Sequence, residues 1–235
     1  MKQFFHMQMK KATLQEGCYS DIMDDSKSLQ KVIGKQKTGI MGGTFNPVHI
    51  GHLLLAEAAL SVEKLDNIMF IPSGQSYMKP QDTIQPADLR LQMVKLAIAD
   101  NPNFFVSDME IKRCGNTYTC DTITQLKQEQ PQTDFFFLMG GDCLFSLETW
   151  KNPDKIFASC TILAAVRNGV DTALMQRKCD YYADTYHADI RLLPFSETAI
   201  SSTDIRQYIK EGRSIRYMVP EAVRLFIQDN KLYKQ

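Results

Sequence analysis

His49 and His52 stand three residues apart, so two of the chain's four histidines fall in one turn. They close the run Gly42-Gly43-Thr44-Phe45-Asn46-Pro47-Val48-His49-Ile50-Gly51-His52. The run leaves a short apolar strand, turns on glycine and enters a helix near Ile50. Glycine lets the backbone approach a ligand closely. A helix start offers unpaired N–H groups and a partial positive charge, which suits phosphate. Imidazoles sharing one face of that first turn can donate hydrogen bonds to phosphate oxygens. The segment contains neither G-x-x-x-x-G-K-[ST] nor G-x-G-x-x-G, so it is neither a P-loop nor a dinucleotide fingerprint. A glycine turn carrying two incidental surface histidines is the plainer alternative.

Three further clusters carry chemistry. Ile200-Ser201-Ser202-Thr203-Asp204-Ile205-Arg206 is a Ser/Ser/Thr run opening a helix. Such residues cap the helix and leave amides for an anion, and Arg206 adds a planar fork for phosphate oxygens. An ordinary N-cap with a surface arginine has the same composition. Tyr118-Thr119-Cys120-Asp121-Thr122 reads as another capped helix start. Gly140-Gly141-Asp142 follows an apolar strand, where Asp142 could accept hydrogen bonds from ligand hydroxyls. Trp150 is the single tryptophan, and its flat ring suits stacking on a planar ligand. Core packing is the commoner use of a lone tryptophan.

These clusters need a scaffold, and the text from Thr38 onward supplies one by alternating strands and helices. Strands are predicted at 38–43, 67–72, 103–109, 134–141, 161–166 and 190–194. Helices are predicted at 50–64, 87–100, 119–130, 203–211 and 220–230. Leu53, Ala56, Leu60 and Lys64 would share one side of the first helix, and Leu89, Met93, Leu96 and Ala97 the inner stripe of the second. The rhythm predicts an α/β fold, a Rossmann-like doubly wound parallel sheet of five to six strands with helices on both faces. Ligands in such sheets bind outside the carboxyl ends of the strands, which is where both glycine turns fall. Residues 38–235 read as one domain. Residues 1–37 read as an N-terminal extension, with Asp21 to Asp25 acidic and Lys27 to Lys37 basic, and no sustained periodicity.

Composition narrows the class. Lys+Arg and Asp+Glu balance at 27 each, so no global field grips nucleic acid or an anionic membrane. No apolar run reaches the roughly 20 residues that span a bilayer. The six cysteines form no C-x-x-C pair and have no zinc-ligand spacing to histidine. Cys120, Cys143 and Cys160 lie in apolar text and read as buried reduced thiols, so a cytoplasmic location is expected.

The run from Gly42 to His52 resembles the GGTF(D/N)PxHxGH signature of bacterial nicotinate-nucleotide adenylyltransferases. The shorter HxGH element alone marks only the wider nucleotidyltransferase superfamily. Ile200 to Arg206 is similar to the family's ISSTxIR motif, Tyr118 to Thr122 to its (S/T)YT-x-DT segment, and Gly140 to Asp142 with Trp150 to its G-(A/G)-D…W element. The resemblance runs from about Thr38 to Tyr233. Two loops depart from it. The family's PPHK-like loop stands here as Ser73-Gly74-Gln75-Ser76-Tyr77-Met78-Lys79, keeping only the lysine. Its (K/R)RPG loop stands as Val166-Arg167-Asn168-Gly169, without the proline.

The resemblance implies transfer of AMP from ATP to nicotinate mononucleotide, with Mg²⁺ accompanying ATP and no dedicated protein metal site. The mononucleotide's 5′-phosphate attacks the α-phosphate in line, and pyrophosphate leaves. That nucleophile is largely ionised at neutral pH, its second pKa being about 6, so no general base is required. By the resemblance His49, His52 and Arg206 are catalytic. Gly42, Gly43, Thr44, Phe45, Gly51, Ile200, Ser201, Ser202 and Thr203 bind ATP. Lys79, Tyr118, Thr119, Asp142, Trp150 and Arg167 bind the mononucleotide. Nucleic acid and membrane partners are not expected, and a homo-oligomer stays open. The alternatives are a sibling transferase using nicotinamide mononucleotide or another phosphorylated acceptor, and a non-catalytic nucleotide sensor.

Overall fold

Six short apolar runs pair edge to edge into one parallel sheet. The computed structural model describes residues 35–76, 84–113, 115–166, 171–195 and 198–234. In chain order they form β1 (Lys37–Gly43), α1 (Ile50–Val62), β2 (Asn67–Pro72), β3 (Gln75–Ser76), α2 (Ala87–Ala97) and β4 (Phe104–Val106). Then come α3 (Met109–Lys112), β5 (Asn116–Thr117), α4 (Thr119–Glu129), β6 (Asp134–Met139) and α5 (Gly141–Leu144). A 3-10 turn at Leu147–Thr149, α6 (Pro153–Ser159), β7 (Thr161–Ala165), α7 (Thr172–Tyr186), β8 (Ile190–Leu193), α8 (Ser202–Lys210) and α9 (Glu221–Asp229) complete it.

The sheet order is β4-β2-β1-β6-β7-β8, and every neighbouring pair is parallel. The chain therefore builds outward from β1 to one edge and returns to build the other edge from β6. The doubly wound α/β fold expected from the sequence is the fold observed. The place where strand order reverses, between β1 and β6, opens a crevice at their carboxyl ends.

Side-chain alternation divides the core. Met41, Phe70, Phe136 and Leu138 pack on one face with Ala56, Met93, Ile205 and Val223 from α1, α2, α8 and α9. Ile40, Ile71, Phe137 and Met139 pack on the other with Ile123, Ile156, Met175 and Tyr182 from α4, α6 and α7. Each such aliphatic or aromatic side chain contributes about 1.5–3 kcal/mol when fully buried. The strands read as unbroken apolar runs because both faces are covered.

Several boundaries differ from the sequence reading. The third predicted strand is only Phe104–Val106, its last ladder bond running from Ser107 N–H to the Phe70 carbonyl, and α3 starts at Met109. α2 stops at Ala97, and its buried face is Arg90, Met93, Val94 and Ala97. That face is turned from the predicted stripe. α1 likewise buries Leu55, Ala56 and Ala59. The 15-residue α7 was not anticipated at all, although Asp171 caps it by accepting from Ala173 N–H and Met175, Cys179 and Tyr182 form its buried stripe. Cys120 and Cys160 are buried as expected, whereas Cys143 is half-buried.

Candidate active site

β1 ends on Gly42-Gly43, and the chain then crosses the sheet edge before α1 begins. Phe45 takes a left-handed backbone (φ 48°) and drops its ring into the core. There it meets His52 edge-on, with ring centroids 5.0 Å apart, and packs on Phe70 at 6.0 Å. A side chain at Gly43 would press on the Phe45 ring at 3.2 Å, so glycine keeps the turn flat over it. Phe45 thus supports the loop from beneath, and only its backbone faces outward chemistry.

His49 caps α1 in an extended conformation, and its ring lies 3.7 Å from that of His52, tilted by 33°. The His49 N–H donates to His52 Nδ1 at 3.2 Å. A nitrogen that accepts cannot carry the proton, so the neutral His52 ring holds its proton on Nε2. His49 is 8% exposed, and loss of solvation pushes its imidazole down to about 4. It is therefore neutral near pH 7, and its Nδ1 is buried without a partner. Gly51 makes this arrangement fit. A Cβ there would stand 3.1 Å from the His49 ring and 2.9 Å from Thr198 Oγ1. The first amide of α1 is not available, because Ile50 N–H bonds to the Met218 carbonyl at 2.9 Å.

α8 is fastened to the same loop. Ser201 caps it, accepting from Asp204 N–H at 3.1 Å. Ser202 Oγ donates to the Pro47 carbonyl at 2.8 Å, and Arg206 donates to the Asn46 carbonyl at 2.9 Å and to Thr203 Oγ1 at 3.3 Å. Thr203 is exposed and Ile200 packs against the core. The two strongest sequence motifs, 160 residues apart, are joined directly by these bonds.

Arg90 was not anticipated. It is 1% exposed on the buried face of α2. Its guanidinium donates to three backbone carbonyls: Thr44 at 2.7 Å, Gln85 at 2.9 Å and Gly74 at 3.0 Å. Burial lowers its pKa, but an arginine remains charged. One fork thereby fixes the loops that follow β1 and β2. Gln85 N–H and the Tyr233 hydroxyl both donate to Asn46 Oδ1, at 3.1 and 2.9 Å. Burial holds the Tyr233 phenol protonated by raising its pKa. The signal for Arg90 was a charged residue in register with Met93 and Ala97 on the inner helix face.

Beside the histidine loop lies a cavity of about 280 Å³. Gly42, Gly43 and Thr44 form the wall that it shares with that loop. Thr119 at the start of α4 and Trp150 line it, together with Phe137, which meets Trp150 edge-on at 6.1 Å. Ser73 and Thr122, which stand inside quoted segments without a role of their own, also line it, as do Glu110 and Thr117, which the sequence did not single out. Ser73 Oγ and Trp150 Nε1 are buried without partners. Glu110 is 9% exposed, and burial raises its carboxyl above the usual range, opposed by the Thr122 hydroxyl and the nearby charge of Arg113. Tyr118 and Asp142 do not line the cavity. Tyr118 caps α4 with Lys151 Nζ 4.1 Å over its ring, and Asp142 is exposed in the first turn of α5. Lys79 and Arg167 lie outside the described residues.

A family model described as cytidylyltransferase-like matches residues 40–208. A protein of Lachnoclostridium phytofermentans named "Probable nicotinate-nucleotide adenylyltransferase" is 46% identical over 198 residues, covering 84% of this chain and 99% of that protein. One of the same name from Dehalococcoides mccartyi is 42% identical over 198 residues, covering 84% and 97%. Among solved structures, a Plasmodium falciparum nicotinic acid mononucleotide adenylyltransferase complexed with NaAD superposes with a TM-score of 0.70. It covers 84% of this chain and 97% of that one at 17% identity, a likeness of fold. With a family model over most of its length and near-full-length relatives above 40% identity, this chain belongs to the nicotinate-nucleotide adenylyltransferases, within the cytidylyltransferase-like nucleotidyltransferases.

Proposed function

We propose that the site joins the AMP unit of ATP to nicotinate mononucleotide, forming nicotinate adenine dinucleotide and pyrophosphate in NAD biosynthesis. The observation that carries this reading is the shared wall. Gly42, Gly43 and Thr44 separate an imidazole- and guanidinium-bearing anion site from an aromatic, hydroxyl-lined cavity. A triphosphate on one side and a pyridine ring on the other bring two phosphates together over that wall. The 5′-phosphate oxygen then attacks the α-phosphorus as the bond to the β-phosphate oxygen breaks and its electron pair leaves with pyrophosphate. His49, His52 and Gly51 hold the phosphate under attack, and Arg206 with Ile200 to Thr203 holds the leaving group. Such preorganised donors act on charge that develops in the transition state. Thr119 and Trp150 bind the ring, while Tyr118 and Asp142, at the starts of α4 and α5, together with Lys79 and Arg167, serve the rest of the mononucleotide.

Among the described residues no group of three or more His, Cys, Asp or Glu could hold a metal ion. We assign Mg²⁺ to the substrate, where it would accompany ATP and would neutralise phosphate charge. Among the described residues no helix is long and apolar enough to cross a membrane, and the reaction suits the cytoplasm, where ATP is made.

Pyrophosphate release from ATP, followed with nicotinate and nicotinamide mononucleotides in parallel, tests this reading. Neutral N–H and O–H donors suit a carboxylate, and an amide leaves some of them facing its own NH₂. The acid form should exceed the amide form by at least about 10-fold in kcat/KM. Equal turnover of the two would overturn the acceptor assignment, and no turnover of either would overturn the reaction.

A further inference from the structure

The cavity proposed for the acceptor holds one carboxylate among its described lining residues, Glu110. It is an awkward group to place beside a ligand that itself carries a carboxylate. Its own support is short of a full counter-charge. Thr122 Oγ1 donates to Glu110 Oε1 at 2.6 Å, and the neighbouring guanidinium of Arg113 is engaged by Thr122 Oγ1 at 3.3 Å and Gln125 Oε1 at 2.8 Å. Burial still raises the carboxyl's pKa despite these partners, so the site favours any ligand that brings positive charge to it. The placement is built in by the backbone. A side chain at Gly74 would run into the Glu110 carbonyl, so glycine at 74 lets α3 close against the loop after β2. Trp150 offers the same preference from another side, since an aromatic face attracts a cation.

A pyridine mononucleotide has such a charge. Its ring nitrogen bears the ribose and is cationic, while the carboxylate sits elsewhere on the ring. We infer that the Glu110 carboxylate recognises the cationic ring nitrogen of the acceptor and thereby selects a charged pyridinium over an uncharged ring of the same shape. This rests on the acceptor reading above. It divides the labour within the cavity. Thr119 and nearby backbone N–H groups receive the ligand's carboxylate, and Glu110 receives its cation. A carboxylate that merely ties α3 to α4 through Thr122 would not distinguish the two ring states.

The two probes are nicotinate mononucleotide and its 1,4-dihydro form, which keeps the substituents and loses the ring charge. The wild-type protein should prefer the oxidised form by at least about 10-fold in kcat/KM, the scale of a partly desolvated charge pair. Glu110→Gln keeps the acceptor for Thr122 and removes the charge. It should lower kcat/KM for the oxidised form by about 10-fold or more and for the dihydro form by less than about 3-fold, so that the preference collapses. Equal turnover of both forms by the wild type would overturn the inference, as would an equal loss on both forms in Glu110→Gln. The wild-type ratio decides alone if the variant does not fold. Failure of the wild type to use either form would instead remove the acceptor reading, and this inference with it.

Discussion

At the scale of single residues, the two histidines of the turn do different work. His52 is oriented from behind, by the His49 N–H on its Nδ1 and the Phe45 ring at its edge. His52→Ala should lower kcat by about 100-fold or more, as loss of a preorganised donor does. The accompanying stability change should be about 1 kcal/mol, the worth of one hydrogen bond. A large fall in melting temperature with little kinetic loss would show a structural histidine instead. His49 is held neutral by burial, with its pKa near 4 against 6.5 in the unfolded chain. Between those values the unfolded chain binds the extra proton and the folded one does not. Stability therefore falls as pH drops from 6.5 toward 4, by up to about 3 kcal/mol. Urea midpoints measured from pH 7 to 4.5 should fall less steeply in His49→Gln than in the wild type, and parallel curves would refute a buried neutral imidazole. The histidine run and Arg206 were legible in the sequence because glycine and histidine carry their chemistry in local spacing. Glu110 and Ser73 were not, since what makes each a site residue is the cavity that the β1, β2 and α4 ends enclose.

At the scale of elements, α2 has a second task besides covering the sheet. Arg90 ties Thr44, Gly74 and Gln85 together by their carbonyls, so a helix distant in sequence from the histidines sets the height of their loop. Arg90→Met leaves those carbonyls without a donor, at about 1–3 kcal/mol for each that stays buried. It should reduce unfolding free energy by at least about 2 kcal/mol. It should also lower kcat about 10-fold or more in the fraction that folds, because small misplacements at a reacting centre are costly. Arg90→Lys should not restore the rate, since an ammonium lacks the planar fork. A folded Arg90→Met protein with wild-type kcat would show that the clasp does not position the loop. Sequence periodicity placed α2 correctly but turned its face, because an apolar pattern leaves out an arginine that is in fact 1% exposed on the buried stripe. α7 escaped notice for a related reason. Its stripe of Met175, Cys179 and Tyr182 is sparse, and the tyrosines and charges between them blur the 3.6-residue period.

At the scale of the whole molecule, we assign catalysis to residues 38–235 and treat residues 1–37 as an extension; β1 begins at Lys37. A chain beginning at residue 35 keeps the whole sheet and both ends of the crevice. It should retain kcat/KM within about three-fold of the full chain, a difference below about 1 kcal/mol. A greater loss, measured on soluble protein, would show that the extension contributes to the site. The βαβ rhythm was readable throughout because a parallel sheet covered on both faces writes each strand as an apolar run. The strand order was not, because pairing is a relation between runs and no one run records its neighbour. The bond from the Tyr233 hydroxyl to Asn46 Oδ1 spans 187 residues, and it has a consequence in time. During synthesis the histidine turn emerges early, with β1, yet its clamp is made by a residue that follows every strand of the sheet. A nascent chain that has already paired β1 with β2 still lacks this restraint, and so does a fragment cut anywhere between α9 and Tyr233. The Tyr233 bond is thereby the last of the named bonds on this turn to become available as the chain is made.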